Sequence, residues 1–476
     1  MKKNSGLHWL GWTSGLILGL IICCGAVLYL QTDKIKLGAQ AYLYGYPLVL
    51  MDLTRANSAL SMGPENQLHF TREFPDANFK GVVRPNADTL YTSSFIDMQE
   101  GPWVLDMPAN TERYELIPLM DAWTHVFASP GTRQGGAHDR CFLLAGPTWQ
   151  GSAPPELELL RSPTRMVWLL GRTQTNGSAD YPAVHRIQNR LRLQSLADWQ
   201  QQRGQQRGQT PLLQRGQTPL LKGSVPIESI ESIQPISPLA QMEGLSAEDF
   251  FVRLMRLMAD NPGAAEDAPM LQAMAGLGLV PGQTVQLAWP GRWRLALGRW
   301  LADRQVGKAL KQASADGAWF TPPLLLGQYG MNYDMRAAVA RVGLGANLPQ
   351  DAMYPNTRVD HQGQPLNGKH RYRLHFEASQ LPPVKAFWSI TAYGADDFFI
   401  DNPLHRFALG DRDPLLFNPD GSLDLWIQAQ SPEPAKQSNW LPVQEGAAFL
   451  LNARLYWPKP QALDGRWQMP RVERLP

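Results

Sequence analysis

Cysteine is nearly absent from this chain, with three in 476 residues. Cys23 and Cys24 fall in an N-terminal apolar stretch, so no disulfide framework, CxxC pair or zinc spacing can be built. Cys141, alone in Arg-Cys-Phe-Leu-Leu, reads as a small buried hydrophobe. Charge is sparse as well. Charged residues make up 18% and the net charge is +2 with no block of one sign, which argues against a dedicated nucleic-acid binder. The familiar chemical strings are missing too: G-x-S-x-G, H-E-x-x-H, a Walker loop and EF-hand spacing. Gly276 to Gly282 misses the dinucleotide spacing and follows a helix. No cofactor is evident. Asp396-Asp397 with Asp401 leaves weak divalent-cation binding open, a solvated loop being the simpler reading.

What is abundant is turn chemistry. The 41 Gly and 39 Pro suit a turn-rich β protein better than a helical bundle, and the length allows two or three domains. The start of the chain is different. Met1-Lys2-Lys3 precedes an uncharged run from Asn4 to Thr32, apolar from Leu7 to Leu30, which can span a bilayer of about 30 Å. A cleaved signal peptide is the rival, but the run exceeds the usual apolar core and no A-x-A site follows. The leading lysines favour an N-terminus kept in the cytoplasm. The expectation is a single-pass inner-membrane anchor with the bulk of the chain in the periplasm. Beyond it, Ile35 to about Arg55 reads as a helix that breaks at Gly45-Tyr46-Pro47, with Ala39, Tyr42, Leu43 and Tyr46 on one face.

The stretch richest in chemistry is Arg84-Pro85-Asn86-Ala87-Asp88-Thr89-Leu90-Tyr91, a polar cluster between strand-like runs. A second is Asp121-Ala122-Trp123-Thr124-His125-Val126-Phe127. As a strand it turns Asp121, Trp123, His125 and Phe127 to one face. Arg133 follows in a Gly-rich loop. If the two stretches lie side by side, Asp88 and Asp121 divide acid and base work, as in glycoside hydrolysis. His125 is an alternative base near neutral pH. Arg84, Asn86, Tyr91, Trp123 and Arg133 would then bind substrate. The competing reading makes them braces, with Arg84 on Asp88 or Asp121 and Asn86 holding turn amides. No metal ligand set is assigned.

These strings, with Tyr44-Gly45-Tyr46-Pro47, Gly101-Pro102, Arg113-Tyr114 and Gly131-x-Arg133-x-x-Gly136, resemble the bacterial domain of unknown function 1254. Farther on, Asp360-x-x-Gly363-x-Pro365-Leu366-x-Gly368, Leu381-Pro382-Pro383-Val384, Ala386-Phe387-Trp388-Ser389, Asp420-Gly421-Ser422-Leu423, Asn439-Trp440-Leu441-Pro442 and Arg454-Leu455-Tyr456 resemble its companion, domain of unknown function 1214. The resemblance implies a β-rich α+β protein: two β-sandwich (jelly-roll-like) domains with helices between them, often exported or membrane-anchored. It brings no agreed activity.

The expected organisation is an anchor over 1–33, a first β-sandwich over 34–195, a linker over 196–243, a helical region over 244–345 and a second β-sandwich over 346–476. The linker carries Arg-Gly-Gln-Thr-Pro-Leu-Leu twice, at 207–213 and 215–221, too few copies for a solenoid and too polar to order itself. Ser246 with Asp249 caps a helix over Phe250 to Met258. Another helix from about Gly291 to Ala313 carries Trp293, Leu297, Trp300, Leu301 and Leu310 on a face read as inter-domain packing. The strand Phe449 to Trp457 alternates a polar face (Asn452, Arg454, Tyr456) with an apolar one, as a half-buried strand does. Two functions follow. One is a membrane-anchored envelope hydrolase acting on a carbohydrate-like or other polar small substrate. The other is a non-catalytic envelope protein that binds a polar ligand or an envelope partner. The membrane is the expected partner; a homo-oligomer stays open and nucleic acid is not expected.

Overall fold

The computed structural model describes residues 6–80, 83–207, 236–312 and 319–476, with side chains for all of these except 6–28, 205–207 and 309–312. The fold is built around α1 (Gly6–Ser61), one uninterrupted helix with Pro47 inside it. The expected break at Gly45-Tyr46-Pro47 does not occur. Proline removes a helix hydrogen bond at a cost of about 3 kcal/mol. Here nearly every residue from Ala41 to Leu53 is buried, including Tyr42, Tyr44, Leu48, Val49 and Met51. Burial of each such side chain contributes about 1.5–3 kcal/mol, so packing outweighs the local defect. A helix apolar all round belongs inside a protein, and the single packing face expected of this segment is replaced by a fully enclosed one.

The first β domain has two sheets. One holds β1 (His69–Phe70), β2 (Thr89–Asp97), β4 (Glu115–Leu116), β5 (Leu119–Asp121), β6 (Val126–Ala128) and β9 (Met166–Gln174); the other holds β3 (Trp103–Met107), β7 (Arg140–Ala145), β8 (Glu158–Arg161) and β10 (Arg192–Ser195). Strand β9 is central: β2 pairs with it from Thr89↔Gln174 to Asp97↔Met166, and β5 pairs on its other side. Ile96, Leu105, Leu119, Phe142, Val167 and Leu169 fill the space between the sheets. On the opposite face of the first sheet, Phe95, Met120, Trp168 and Leu170 pack against α1 and its neighbours. The alternation of strand side chains thus serves two cores at once.

After α2 (Tyr181–Gln188), the first twelve residues of the expected linker form α3 (Leu196–Arg207). The duplicated Gln/Gly/Pro segment falls almost wholly at 208–235, outside the described residues. Helices then surround α1: α4 (Pro238–Gly244), α5 (Ala247–Asp260), α6 (Ala268–Ala275), α7 (Trp289–Gln312) and α8 (Tyr333–Gly343). Ser246 caps α5 through Asp249 N at 3.0 Å, as its sequence indicated. Helix α7 departs from expectation. Leu295, Gly298, Ala302 and Val306 are its buried face, whereas Trp289, Leu297 and Trp300 are exposed. A Cβ on Gly298 would sit 2.7 Å from Ala39 N and 2.9 Å from Ile35 O. Backbone cannot yield as a side-chain tip does, so Gly298→Val is expected to lower stability by about 1–3 kcal/mol or more, read as a shift of the urea midpoint. An unchanged midpoint would mean that the two helices are not in this contact.

The second β domain repeats the two-sheet plan. One sheet has β11 (Ala352–Met353), β12 (Asn356–Thr357), β14 (Trp388–Gly394), β15 (Ala408–Gly410) and β18 (Phe449–Tyr456). The other has β13 (Tyr372–Phe376), β16 (Leu423–Gln428), β17 (Trp440–Pro442) and β19 (Val472–Arg474), with the short α9 (Pro460–Leu463) before the last strand. Leu374, Phe376, Ile390, Leu425, Leu451 and Leu455 lie in the core between them. All eight residues of β18 are buried, so its polar face is not the solvated face expected. Asp420-Gly421 makes a turn with Gly421 at φ 82°, but β15 and β16 on either side of it belong to different sheets, so no hairpin forms. Among the described residues no helix is long and apolar enough to cross a membrane; most of the expected anchor, Leu7–Leu30, lies in the part of α1 whose side chains are outside that description.

Candidate functional site: a buried inter-domain clasp

The polar face of β18 is buried because the first domain covers it. Ser389, Thr391 and Tyr393 of β14 stand beside Arg454 and Asn452 of β18, paired as Ser389↔Arg454 and Thr391↔Asn452. The loop before β2 lies on this face. Arg454 donates to Thr391 Oγ1 at 2.8 Å, to Tyr393 Oη at 2.6 Å and to the carbonyls of Arg84 and Pro85 at 3.1 and 3.3 Å. Tyr393 Oη also donates to Pro85 O at 2.5 Å.

Asp88 is the centre of this arrangement and is wholly inaccessible at 0%. Its Oδ2 accepts from Ser389 Oγ at 2.7 Å, its Oδ1 from Arg412 Nη2, and Arg454 Nε stands 4.0 Å away. Arg412 also donates to the carbonyls of Asp88 and Thr175, at 3.1 and 2.6 Å, while its guanidinium lies 4.3 Å from the Phe387 ring centroid. One carboxylate of the first domain therefore faces two guanidinium groups of the second, bonded to Arg412 and 4.0 Å from Arg454. Asn86 sets the turn: its Oδ1 accepts from Asp88 N at 2.6 Å and Thr89 N at 3.3 Å, and its Nδ2 donates to Thr89 Oγ1, Tyr456 Oη and Tyr91 Oη. Arg84, at φ 52°, pairs with Asp397 at 2.8 Å instead of with Asp88 or Asp121, and Arg358 shares that carboxylate. Tyr91 stacks beneath the Arg172 guanidinium at 5.1 Å.

Asp121 is not in this cluster. Thr89 registers with Gln174 and Asp121 with Val167, seven positions along β9, or about 23 Å. Acid and base carboxyls of a glycosidase stand about 5–9.5 Å apart, so the expected Asp88–Asp121 pair does not form. The stretch 121–127 is also not one strand. Asp121 Oδ1 accepts from Trp123 N and His125 N, both at 2.9 Å, and Thr124 takes φ 72°, making a tight turn between β5 and β6. An aspartate bonding amides two and four residues on is turn chemistry that outweighs the alternating pattern.

The turn places its side chains in a separate box. Trp123 is buried, donates to Pro262 O at 3.0 Å and packs tilted against Tyr44, ring centroids 4.7 Å apart. Arg336 of α8, 1% exposed, lies 5.1–5.3 Å from the rings of Tyr44, Trp123 and Tyr333. It donates to Tyr44 O at 3.2 Å and meets His125 Nε2 at 3.2 Å, and Tyr333 Oη donates to Asp267 at 2.8 Å. Because Arg336 can only donate, the His125 ring nitrogen facing it accepts and the ring is neutral. Burial, with the adjacent guanidinium, pulls His125 down to about 4. Burial pushes Asp121 up to about 7, against the pull of its two amide donors and Arg336. Arg133 belongs to neither group; it holds Asp351, which also accepts from Ser129 Oγ at 2.7 Å.

Sequence reasoning missed Arg412, Arg336, Ser389 and Asp351 as partners. Arg336 had a signal, since it shares a helical stripe with the buried Ala337 and Ala340. Arg412, in a turn-like Asp-Arg-Asp-Pro, had none. The acidic trio read as a weak cation site is neutralised in part by protein cations: Asp396 pairs with Lys80 at 2.9 Å and Asp397 with Arg84 and Arg358. Among the described residues no group of three or more His, Cys, Asp or Glu is arranged to hold a metal ion.

Comparison with known proteins agrees with this two-part plan. The family described as protein of unknown function (DUF1254) matches residues 65–195, and that described as protein of unknown function (DUF1214) matches 351–460. The chain belongs to this two-domain family. The two matched segments contain the two halves of the clasp, the Arg84–Asp88 loop in one and Ser389, Arg412 and Arg454 in the other. The VPA0106 protein from Vibrio parahaemolyticus has a similar fold, with a TM-score of 0.68 at 22% identity over 93% of this chain and all of that one. An uncharacterised protein from Burkholderia cenocepacia aligns over 95% of this chain and 97% of its own at 12% identity, with a TM-score of 0.44. No curated protein matches.

Proposed function

We propose that this member of the DUF1254/DUF1214 family is a non-catalytic envelope protein: a single-pass inner-membrane anchor carrying a rigid two-domain head in the periplasm, which binds a polar ligand or another envelope component. The observation that carries the non-catalytic reading is the state of Asp88. A general acid or base must reach the reacting atoms, and this carboxylate is sealed from solvent and bonded by Arg412 and Ser389. The head is stiff because the buried clasp, the Arg133–Asp351 pair and the apolar contact of Tyr114 and Leu116 with Phe387 and Tyr456 all join the same two domains. The anchor is supported by the apolar run Leu7–Leu30 lying in the same unbroken helix as the core residues Ala41–Leu53.

The test is a hydrolase panel (glycosides, carboxylic esters, phosphoesters) on the purified full chain beside Asp88→Asn and Asp121→Asn, with protease protection of spheroplasts reporting orientation. No turnover that depends on either carboxylate is expected, and the head should be digested from the periplasmic side. Turnover lost in Asp121→Asn while that variant still melts as the wild type does would overturn the non-catalytic reading and move the chemistry to the His125 box. A head protected in spheroplasts would overturn the orientation.

A further inference from the structure

Helix α7 has two opposite faces, and only one has a partner. Its spacing puts Leu295, Gly298, Ala302 and Val306 on the side buried against the α1 core. Trp289, Trp293, Leu297 and Trp300 recur at steps of four, four and three on the other side, where Trp289, Leu297 and Trp300 are exposed and Trp293 is half-buried with its Nε1 enclosed. Trp289 is 76% and Trp300 53% exposed. Large indoles left in solvent on one stripe of a helix mark a contact surface.

The position of that stripe relative to α1 says what covers its first turns. A Cβ at Gly38 would meet Leu295 at 3.3 Å, and the next turn up Arg299 lies 5.6 Å from the Tyr42 ring, so α7 runs parallel to α1. Counting back six residues from Leu295 on Gly38, or nine from Gly298 on Ala39, at about 1.5 Å each, brings Trp289 level with residues 30–32. The apolar run of α1 ends at Leu30, at most about 3 Å below, and Trp293 stands level with residues 34–36, about 6–9 Å above that end. The headgroup layer on each side of a bilayer is about 5–8 Å deep. Indoles with cations beside them are the side chains favoured there: Arg294 lies 5.8 Å from the Trp293 ring, Arg292 pairs with Glu248 at 3.2 Å, and Lys34 and Lys36 follow the apolar run of α1 with the acidic Asp33.

We infer that the start of α7, through Trp289 and Arg292 with Trp293 and Arg294 at its outer edge, is seated in the phospholipid headgroup layer and fixes the tilt of the head on the membrane, with anionic lipid preferred. The inference rests on the anchor proposed above. Because α7 touches α1 at the membrane-proximal end of the core, the head is held by two points instead of one helix. Trp300, a further turn and more from the surface, lies beyond the reach of the headgroups and is not included.

The test uses the full chain with Cys23, Cys24 and Cys141 replaced by serine and one new cysteine, carrying an environment-sensitive fluorophore, at Trp289, at Gln286 or at the exposed Phe417 of the second domain. Each is reconstituted into phosphatidylcholine vesicles with and without phosphatidylglycerol and a headgroup-region spin-label quencher. The protein should float with the vesicles. Labels at 286 and 289 should be quenched about twofold or more beyond the label at 417, more so with phosphatidylglycerol, and Arg292→Glu with Arg294→Glu should remove that excess. The Gln286 label keeps both indoles in place, so a loss caused by removing Trp289 is recognised. Protein that floats with 286 and 289 no more quenched than 417 overturns the docking and leaves the anchor standing. Protein that does not float overturns the anchor, and the docking with it. Energy transfer between labelled copies at 289 without lipid quenching assigns the stripe to a second copy and likewise overturns the proposal.

Discussion

Asp88→Ala is expected to lower the unfolding free energy by about 3–5 kcal/mol, the range for removing one partner of a buried ion pair. The magnitude follows from what is left behind. Arg412 and Arg454 keep their charges in a space where Asp88 has no solvent exposure, and Ser389 loses its acceptor. Asp88→Asn preserves shape and one acceptor oxygen but not the charge, so it should fall between wild type and alanine. The informative measurement is a double-mutant cycle with Arg412→Met by urea unfolding. Removing both charges should destabilise by less than the sum of the singles, with a coupling of about 1 kcal/mol or more. Additive effects would show that carboxylate and guanidinium do not act together, and an Asp88→Ala protein melting like wild type would dismiss the clasp. Arg454 does not replace Arg412 in the pair, because its two terminal nitrogens are committed to Thr391, Tyr393 and two carbonyls and its Nε stands 4.0 Å from the carboxylate.

The second large effect is one of pH, and it is hidden in the wild type. His125 is pulled from 6.5 to about 4 and Asp121 is raised from 3.8 to about 7. Between about pH 4 and 6.5 the unfolded chain holds the proton on the histidine and the folded chain holds it on the aspartic acid. Each state binds one proton, so the pair contributes no slope. Single substitutions expose the two halves. In Asp121→Asn only the histidine remains. Its folded value lies below its unfolded one, the unfolded state binds more protons, and stability rises with pH from about 4 to 6.5 by about 1.4 kcal/mol per unit at most. In His125→Gln only the carboxyl remains. Its folded value lies above its unfolded one, so the stabilising proton is present at low pH and stability falls from about pH 4 to 7 with the same limiting slope. Asparagine keeps the acceptor for the Trp123 and His125 amides, and glutamine can still accept from Arg336. Urea midpoints measured across pH 4–7.5 decide the matter. Parallel profiles in the wild type and both variants would mean that neither group is shifted by its box.

These two effects separate what each half of the first domain's polar sequence is for. Arg84, Asn86, Asp88 and Tyr91 join the domains; Asp121, Trp123 and His125 close a turn onto α8. The brace reading of the Asn86 turn was legible beforehand, since an Asx residue before a strand commonly bonds the next amides. The actual partner of Arg84 was not. Asp397 lies over three hundred positions away, and nothing local marks one carboxylate among many. The polar side of β18 shows the same limit. Alternation correctly separated Asn452, Arg454 and Tyr456 from their apolar neighbours, but the pattern is the same whether water or a second polar surface covers that face.

By itself the sequence determined the family, from strings spread over both domains, and most elements of secondary structure, because hydrophobic period, caps and turn residues act within a few positions. Ser246 caps its helix and the strand at Phe449 stands where its pattern puts it. Only the tertiary structure decided which faces meet. It kept α1 unbroken through Pro47 by enclosing it, set Asp88 and Asp121 at opposite ends of β9, and left Trp289 and Trp300 of α7 facing outward. The physical reason is the same in each case. Local propensity is worth a fraction of a kcal/mol per residue, whereas burial and the pairing of buried charges are worth several, and those depend on residues far apart in the chain.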